Sequence, residues 1–255
     1  MRQHLLSTLL LAAGLAAPAT AQVRVQLDPL GPLRLRLGVR AGAQVTRMTI
    51  AAPDYVSTEL KYNYWGGQAG LVLEAAVGWL SLQQGVVFSQ KGYREKRSWT
   101  QELQGTSYPS KSLVRLRLNY LELPLNLVAT VHGVQLFAGP YLGVGLSGEY
   151  KYTYTKPMRT SEYYQTYALT SYANETKIGF GKKSPTPYYR PFRRLDAGYQ
   201  VGVGYRRGGW QAQAAYSHGV KNSYESIYIG YDPPAENRGF QLNLTRFFGR
   251  PEPAQ

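Results

Sequence analysis

The chain has 255 residues, no cysteine, 22 tyrosines, 27 glycines and a formal charge of +14 at neutral pH, with a slightly negative mean hydropathy of −0.34. The missing cysteine excludes a disulfide-stapled exported domain and a thiolate metal centre. Beyond the N-terminus no apolar run reaches the ~20 residues of a helical span, which excludes a helical membrane protein but not a membrane β-barrel, whose strands are half polar.

Arg2 is followed by apolar sequence from Leu5 to Ala17 and then by Ala19-Thr20-Ala21. A basic start, a short apolar core and a small-residue cleavage site predict a secretory signal over residues 1–21, so that the mature chain begins near Gln22. Residues 22–32 are expected to form an N-terminal periplasmic segment. Export separates the basic chain from cytoplasmic nucleic acid and leaves the phosphate-rich lipid surface as its anionic partner.

From Leu33 to Val45 the odd positions are apolar, whereas Arg34, Arg36, Gly38, Arg40, Gly42 and Gln44 occupy the even ones. A period of two gives one greasy and one polar face, the signature of a strand. The pattern returns from Gln68 to Val77 and, after Gly78-Trp79, from Leu80 to Lys91. The next strand places Leu116 and Leu118 outward with Arg115, Arg117 and Asn119 inward, and its parity then changes to Leu121, Leu123, Leu125 and Leu127. A change of parity beside Pro124 predicts a β-bulge there. Four further strands follow: Val134–Glu149, Leu195–Arg206, Trp210–Ser217 and Phe240–Phe248, with Gly143, Glu149, Asp196, Gln200 and Gln213 among their inward residues.

Short turns near 78–79, 130–133 and 207–209 alternate with long connections near 47–67, 92–112, 150–193 and 218–238. That alternation predicts an eight-stranded antiparallel up-and-down transmembrane β-barrel over residues 33–248, with short periplasmic turns, long extracellular loops and a C-terminal tail over 249–255. A soluble sandwich gives no reason for it.

Several segments resemble the PorT-like outer-membrane β-barrel family. The strongest is Asn119-Tyr120-Leu121-Glu122-Leu123-Pro124-Leu125, followed in order by Ala138-Gly139-Pro140-Tyr141, Asp196-Ala197-Gly198, Gly202-Val203-Gly204-Tyr205, Tyr216-Ser217-His218-Gly219 and Asn237-Arg238-Gly239-Phe240-Gln241-Leu242. Upstream lies Ser89-Gln90-Lys91-Gly92, and the resemblance spans roughly 38–248. It implies an outer-membrane barrel from a family in which one member is associated with protein secretion, and it carries over no catalytic residue. The chain departs from the pattern in running on past Phe247-Phe248 to Gln255.

A barrel of eight strands is just wide enough to be filled by its own side chains. Arg34, Arg36, Arg40, Glu74, Lys91, Arg115, Arg117, Glu122, Glu149 and Asp196 are the expected lumen charge network. Such a network plugs and stiffens the barrel, because buried charges must find partners; the alternative is a gated or anion-selective path. No enzyme is expected, since His218 and Ser217 are strand neighbours on opposite faces with no acid two residues away. No metal site or cofactor is expected either.

The connection from 150 to 193 interleaves tyrosines with cations. Lys182, Lys183, Arg190, Arg193, Arg194, Tyr188 and Tyr189 are its candidate contacts to an anion or glycan, with lipopolysaccharide or another envelope protein as partner. The alternative is an interfacial aromatic girdle with a solvated basic rim. The function expected is an integral outer-membrane barrel with a structural, interaction or secretion-associated role; the alternative is a soluble periplasmic lipocalin-like barrel that binds a small or lipidic ligand.

Overall fold

The computed structural model describes residues 24–27, 31–50, 61–160, 166–181, 192–224 and 235–248. Their strands are β1 (Arg24–Leu27), β2 (Gly31–Ile50), β3 (Lys61–Val77), β4 (Leu80–Leu103), β5 (Thr106–Val131), β6 (Val134–Arg159), β7 (Tyr167–Ile178), β8 (Leu195–Arg207), β9 (Trp210–Gly219) and β10 (Ala235–Phe248). The described segments contain no helix. The signal and the tail lie outside the described residues.

All pairings are antiparallel. They run from β2 through β3, β4, β5, β6, β8 and β9 to β10, and β10 pairs back onto β2. β1 adds to β2 beyond the end of β10, with Arg24 opposite Arg34. β7 adds to β6 beyond the end of β8, with Gly148 opposite Ile178.

The ring inverts the order of a soluble core. On β9, Gln211 and Gln213 are buried while Trp210, Ala212 and Ala214 are exposed. Phe240, Leu242 and Leu136 stand exposed on the outer face, whereas Gln135, Asn243 and Thr245 face inward and are buried. Polar-in, apolar-out alternation is stable only where the surroundings of the outer face are themselves apolar.

The hairpins at one end turn at Gly78-Trp79, His132-Gly133 and Gly208-Gly209. His132 has φ 49° and Gly133 has φ 81°. Positive φ at both central residues gives a turn whose twist matches that of the flanking strands. The same geometry recurs at Gln104 and Gly105, φ 52° and 74°, inside the segment 92–112 read above as a loop. There β4 and β5 continue as a paired ladder to Leu103↔Thr106. The segment 150–193 is likewise mostly ladder, because β6 runs on to Arg159 and β7 returns along it. Alternating tyrosines and small polar residues sustain the strand period beyond the main ring.

The bulge expected beside Pro124 is elsewhere. On β5 every even residue from Ser110 to Val128 is buried, so its parity never changes. The register slips on β6 instead: Asn119 faces Ser147 and Tyr120 faces Gly145, leaving Leu146 as the extra residue. Below the bulge Gly143 and Gly145 point inward; above it Gly148 does. Leu116 and Leu118 therefore point in, because the ring interior at this level is apolar. They pack with Met48, Tyr93, Val114 and Tyr120 under Phe192 and Tyr224, whose rings lie 4.8 Å apart across an isolated backbone bridge.

Candidate functional site: the filled interior of the ring

Alternation brings polar side chains from every strand of the ring onto one axis. Glu122, Gly143 and Asp196 lie directly across from one another on β5, β6 and β8. A Cβ on Gly143 would be in ordinary contact with both side chains, 3.4 Å from Asp196 Cβ and 3.6 Å from Glu122 Cγ, which shows how closely the two acidic residues flank this position. Lys91 Nζ meets both, 2.6 Å from Glu122 Oε1 and 3.0 Å from Asp196 Oδ2. The ammonium also lies 4.3 Å from the centroid of the Tyr141 ring, within reach of its π face. Asn237 Nδ2 donates to Asp196 Oδ2 at 3.3 Å and to Ser223 Oγ at 3.2 Å.

Toward the turn end the interior is amide and hydroxyl. Gln44 Nε2 donates to Ser89 Oγ at 2.7 Å, and Gln200 Nε2 donates to Asn126 Oδ1 at 2.9 Å. Arg40 has no carboxylate partner in its described contacts and instead donates to Thr245 Oγ1 at 3.1 Å and Gln213 Oε1 at 2.9 Å. Nearest the turns a second ionic cluster surrounds Glu74, which is fully buried. Arg206 makes a two-pronged contact with its carboxylate, Gln83 Nε2 donates to it at 2.7 Å, and Arg36 stands 3.6 Å away.

Of the charges read as a lumen network, Arg36, Arg40, Glu74, Lys91, Glu122 and Asp196 lie inside the ring and Arg34 is half-buried on β2. Arg115, Arg117 and Glu149 do not join them. With β5 in constant parity and β6 shifted by its bulge, these three fall on the opposite face of the extended ladder. There Arg117 pairs with Glu149 at 2.8 Å, and Lys151 bridges Glu149 at 2.9 Å and Glu175 at 2.8 Å. The hydrogen bond with Glu175, then Lys151 and Arg117, hold the Glu149 carboxyl down at about 2.

Arg206, Gln83, Gln211, Tyr141 and Asn237 are absent from the lumen network read from sequence. Arg206 carried a usable signal, since it shares the inward parity of Asp196 and Gln200 on β8. The register across several strands that places Asn237 beside Asp196 has no local signal. Of the candidate anion contacts, Lys182, Lys183, Tyr188, Tyr189 and Arg190 lie outside the described residues. Arg193 donates its backbone N–H to Ser223 O at 2.9 Å, and Arg194 is exposed.

Residues 20–225 match the family described as outer membrane protein beta-barrel domain. The chain belongs to this family. It is a protein of the outer membrane, and its exposed apolar belt is the face such a location requires, which removes the soluble periplasmic alternative. Among solved structures, the attachment invasion locus protein Ail of Yersinia pestis, in complex with the heparin analogue sucrose octasulfate, is 11% identical, covering 84% of this chain and 99% of that one at a TM-score of 0.35. Neisserial surface protein A is 9% identical, covering 82% of this chain and 96% of that one at a TM-score of 0.36. The assignment rests on the family match and not on these distant likenesses. A comparison with proteins of curated function found no match.

Proposed function

We propose that β2–β6 and β8–β10 form an eight-stranded barrel across the outer membrane, closed to diffusion by its own side chains. In this reading it is a structural or interaction protein of the envelope, of the PorT-like kind, and not an enzyme. The turns at 78–79, 132–133 and 208–209 are periplasmic, and the β4–β5 and β6–β7 ladders project outside the cell.

The observation that carries this reading is the interior. Two buried ion clusters, around Glu74 and Lys91, are stacked beneath the apolar cap of Leu116, Leu118, Tyr120 and Phe192. A barrel this narrow with large side chains at each level leaves no continuous aqueous path. The test is conductance in planar bilayers. The purified protein should insert without steady single-channel openings. Steady openings from the unaltered protein would overturn the plugged lumen.

The projecting ladders supply the interaction surface. Trp99 and Tyr154 lie 5.6 Å apart and Tyr152 stacks on Tyr154 at 5.9 Å, beside Lys156 at 5.5 Å from the Tyr154 ring. Aromatic faces next to cations suit sugars and phosphates. In this reading Arg193 and Arg194, with the candidate contacts read in the sequence at 182–190, supply further cations for lipopolysaccharide or an envelope protein. Salt-dependent binding of lipopolysaccharide that weakens when Arg193 and Arg194 become Gln is the expected result.

A further inference from the structure

On the outer face the register aligns residues into rows. Val201, Tyr216, Phe240, Val45 and Trp65 stand side by side across β8, β9, β10, β2 and β3. Two residues nearer the turns, Val203, Ala214, Leu242 and Ala43 form the next row. The alanines set a low floor between large neighbours, and the result is a groove of about 450 Å³ with an apolar lining. Its rim is held open by packing, for the Tyr216 and Phe240 rings lie 5.2 Å apart. Trp65 and Phe240 are 67% and 68% exposed.

Two residues in the other direction the chemistry changes abruptly. Tyr199, His218, Arg238 and Arg47 form the adjoining row on the same face, about 7 Å beyond the groove at the rise of a strand. Arg238 and His218 share Glu236, at 3.0 Å and 3.4 Å, and Tyr199 stacks on His218 at 5.3 Å; Arg47 is exposed. Two guanidiniums against one carboxylate leave this row positive. Along β9 it stands eight residues from Trp210 at the turn end, about 27 Å along the strand and about 21 Å in height at a tilt of ~40°. The apolar band of outer-membrane barrels is ~25 Å tall, so the cationic row falls at the outer headgroup level.

We propose that this groove is a binding site for a phosphate-bearing acyl lipid of the outer leaflet, with one acyl chain against Ala43, Ala214 and Phe240 and the phosphate held by Arg47 and Arg238. The proposal rests on the membrane-spanning reading above. An apolar slot ending in paired guanidiniums matches an anionic amphiphile, whereas a neutral lipid would bring no anion to a row that has Glu236 alone against two guanidiniums. Glu236 competes with the phosphate for Arg238 and sets the affinity below what two guanidiniums alone would give.

The test uses the full chain folded in detergent micelles, with dimyristoyl phosphatidic acid and dimyristoylglycerol, which has the same acyl chains and no phosphate, as probes and native mass spectrometry as the readout of retained lipid. The phosphatidic acid should be retained about ten-fold better, and the double substitution Arg47→Gln and Arg238→Gln should abolish that preference. Ala214→Trp should fill the groove and reduce retention of both probes. Glu236→Gln should strengthen phosphatidic acid retention about two- to five-fold, a gain that misfolding cannot mimic. Equal retention of the two probes, or a preference that survives the double substitution, overturns the site. A dimer that Ala214→Trp dissolves, with lipid retention unchanged, assigns the groove to a second copy and also overturns it. Insertion into vesicles is measured in parallel: a chain that inserts without any preference loses the site alone, whereas one that folds in buffer and never inserts loses the spanning reading as well.

Discussion

Removing the ammonium of Lys91 tests the interior most directly. Lys91→Met keeps an unbranched side chain one atom shorter but leaves Glu122 and Asp196 buried across Gly143 without the Lys91 ammonium. At 2.6 and 3.0 Å and an effective dielectric of about 20, each attraction is on the order of 6 kcal/mol before desolvation. Desolvation of the ammonium offsets much of this, and removing one partner of a buried pair has a net cost of about 3–5 kcal/mol. If the carboxylates cause the loss, the triple variant Lys91→Met, Glu122→Gln, Asp196→Asn should recover most of it, to within about 1 kcal/mol of the parent protein. The assay is urea unfolding in lipid vesicles followed by tryptophan fluorescence, with the gel shift between folded and heated protein as the check on folding. A single variant as stable as the parent, or a triple variant no better than the single, refutes the argument.

Val203 is exposed on the outer belt, so Val203→Arg should cost roughly 2–4 kcal/mol in the same unfolding assay, and a cost near zero would remove that face from the lipid. Glu149 titrates at about 2 instead of the ordinary 4.5; a depressed folded value means its ionised form stabilises the β5–β6–β7 ladder fully above about 4.5 and ceases to do so as pH falls toward 2. Protease cleavage within β7 should therefore rise between pH 4.5 and 2.5, and Glu149→Gln should cleave readily and equally across that range. Deleting Leu146 removes the bulge but leaves Gly145, Ser147 and Gly148 opposite Tyr120, Asn119 and Leu118 in regular alternation, so Tyr150 and Tyr152 stay inward and the ladder should keep its protease protection; a ladder that becomes cleavable would show that the bulge itself is needed. His132→Gly relieves a side chain at φ 49° and should raise stability by about 1 kcal/mol; a loss of similar size would show that the imidazole makes a stabilising contact.

Period-two patterning was enough to locate most of the ring strands and to separate their faces, because the polarity of a side chain and the side of the strand it occupies are coupled wherever one face meets lipid and the other a polar interior. The outward residues of β8, β9 and β10 follow from that coupling alone, as do the inward positions of Glu74, Lys91, Glu122 and Asp196. The same rule misplaced Arg115, Arg117 and Glu149, because above the bulge the interior turns apolar and the outside turns polar, so hydrophobicity there points the wrong way. Only the tertiary structure could decide this. Whether Leu116 faces in or out depends on Phe192 and Tyr224, brought over the ring from distant segments, and the position of the bulge depends on which of two paired strands yields a residue. Cross-strand register is also what places Arg47 beside Arg238 and Asn237 beside Asp196, residues far apart in the chain. No local pattern encodes such neighbours, since each strand's alternation sets its faces but not how far it slides along the next.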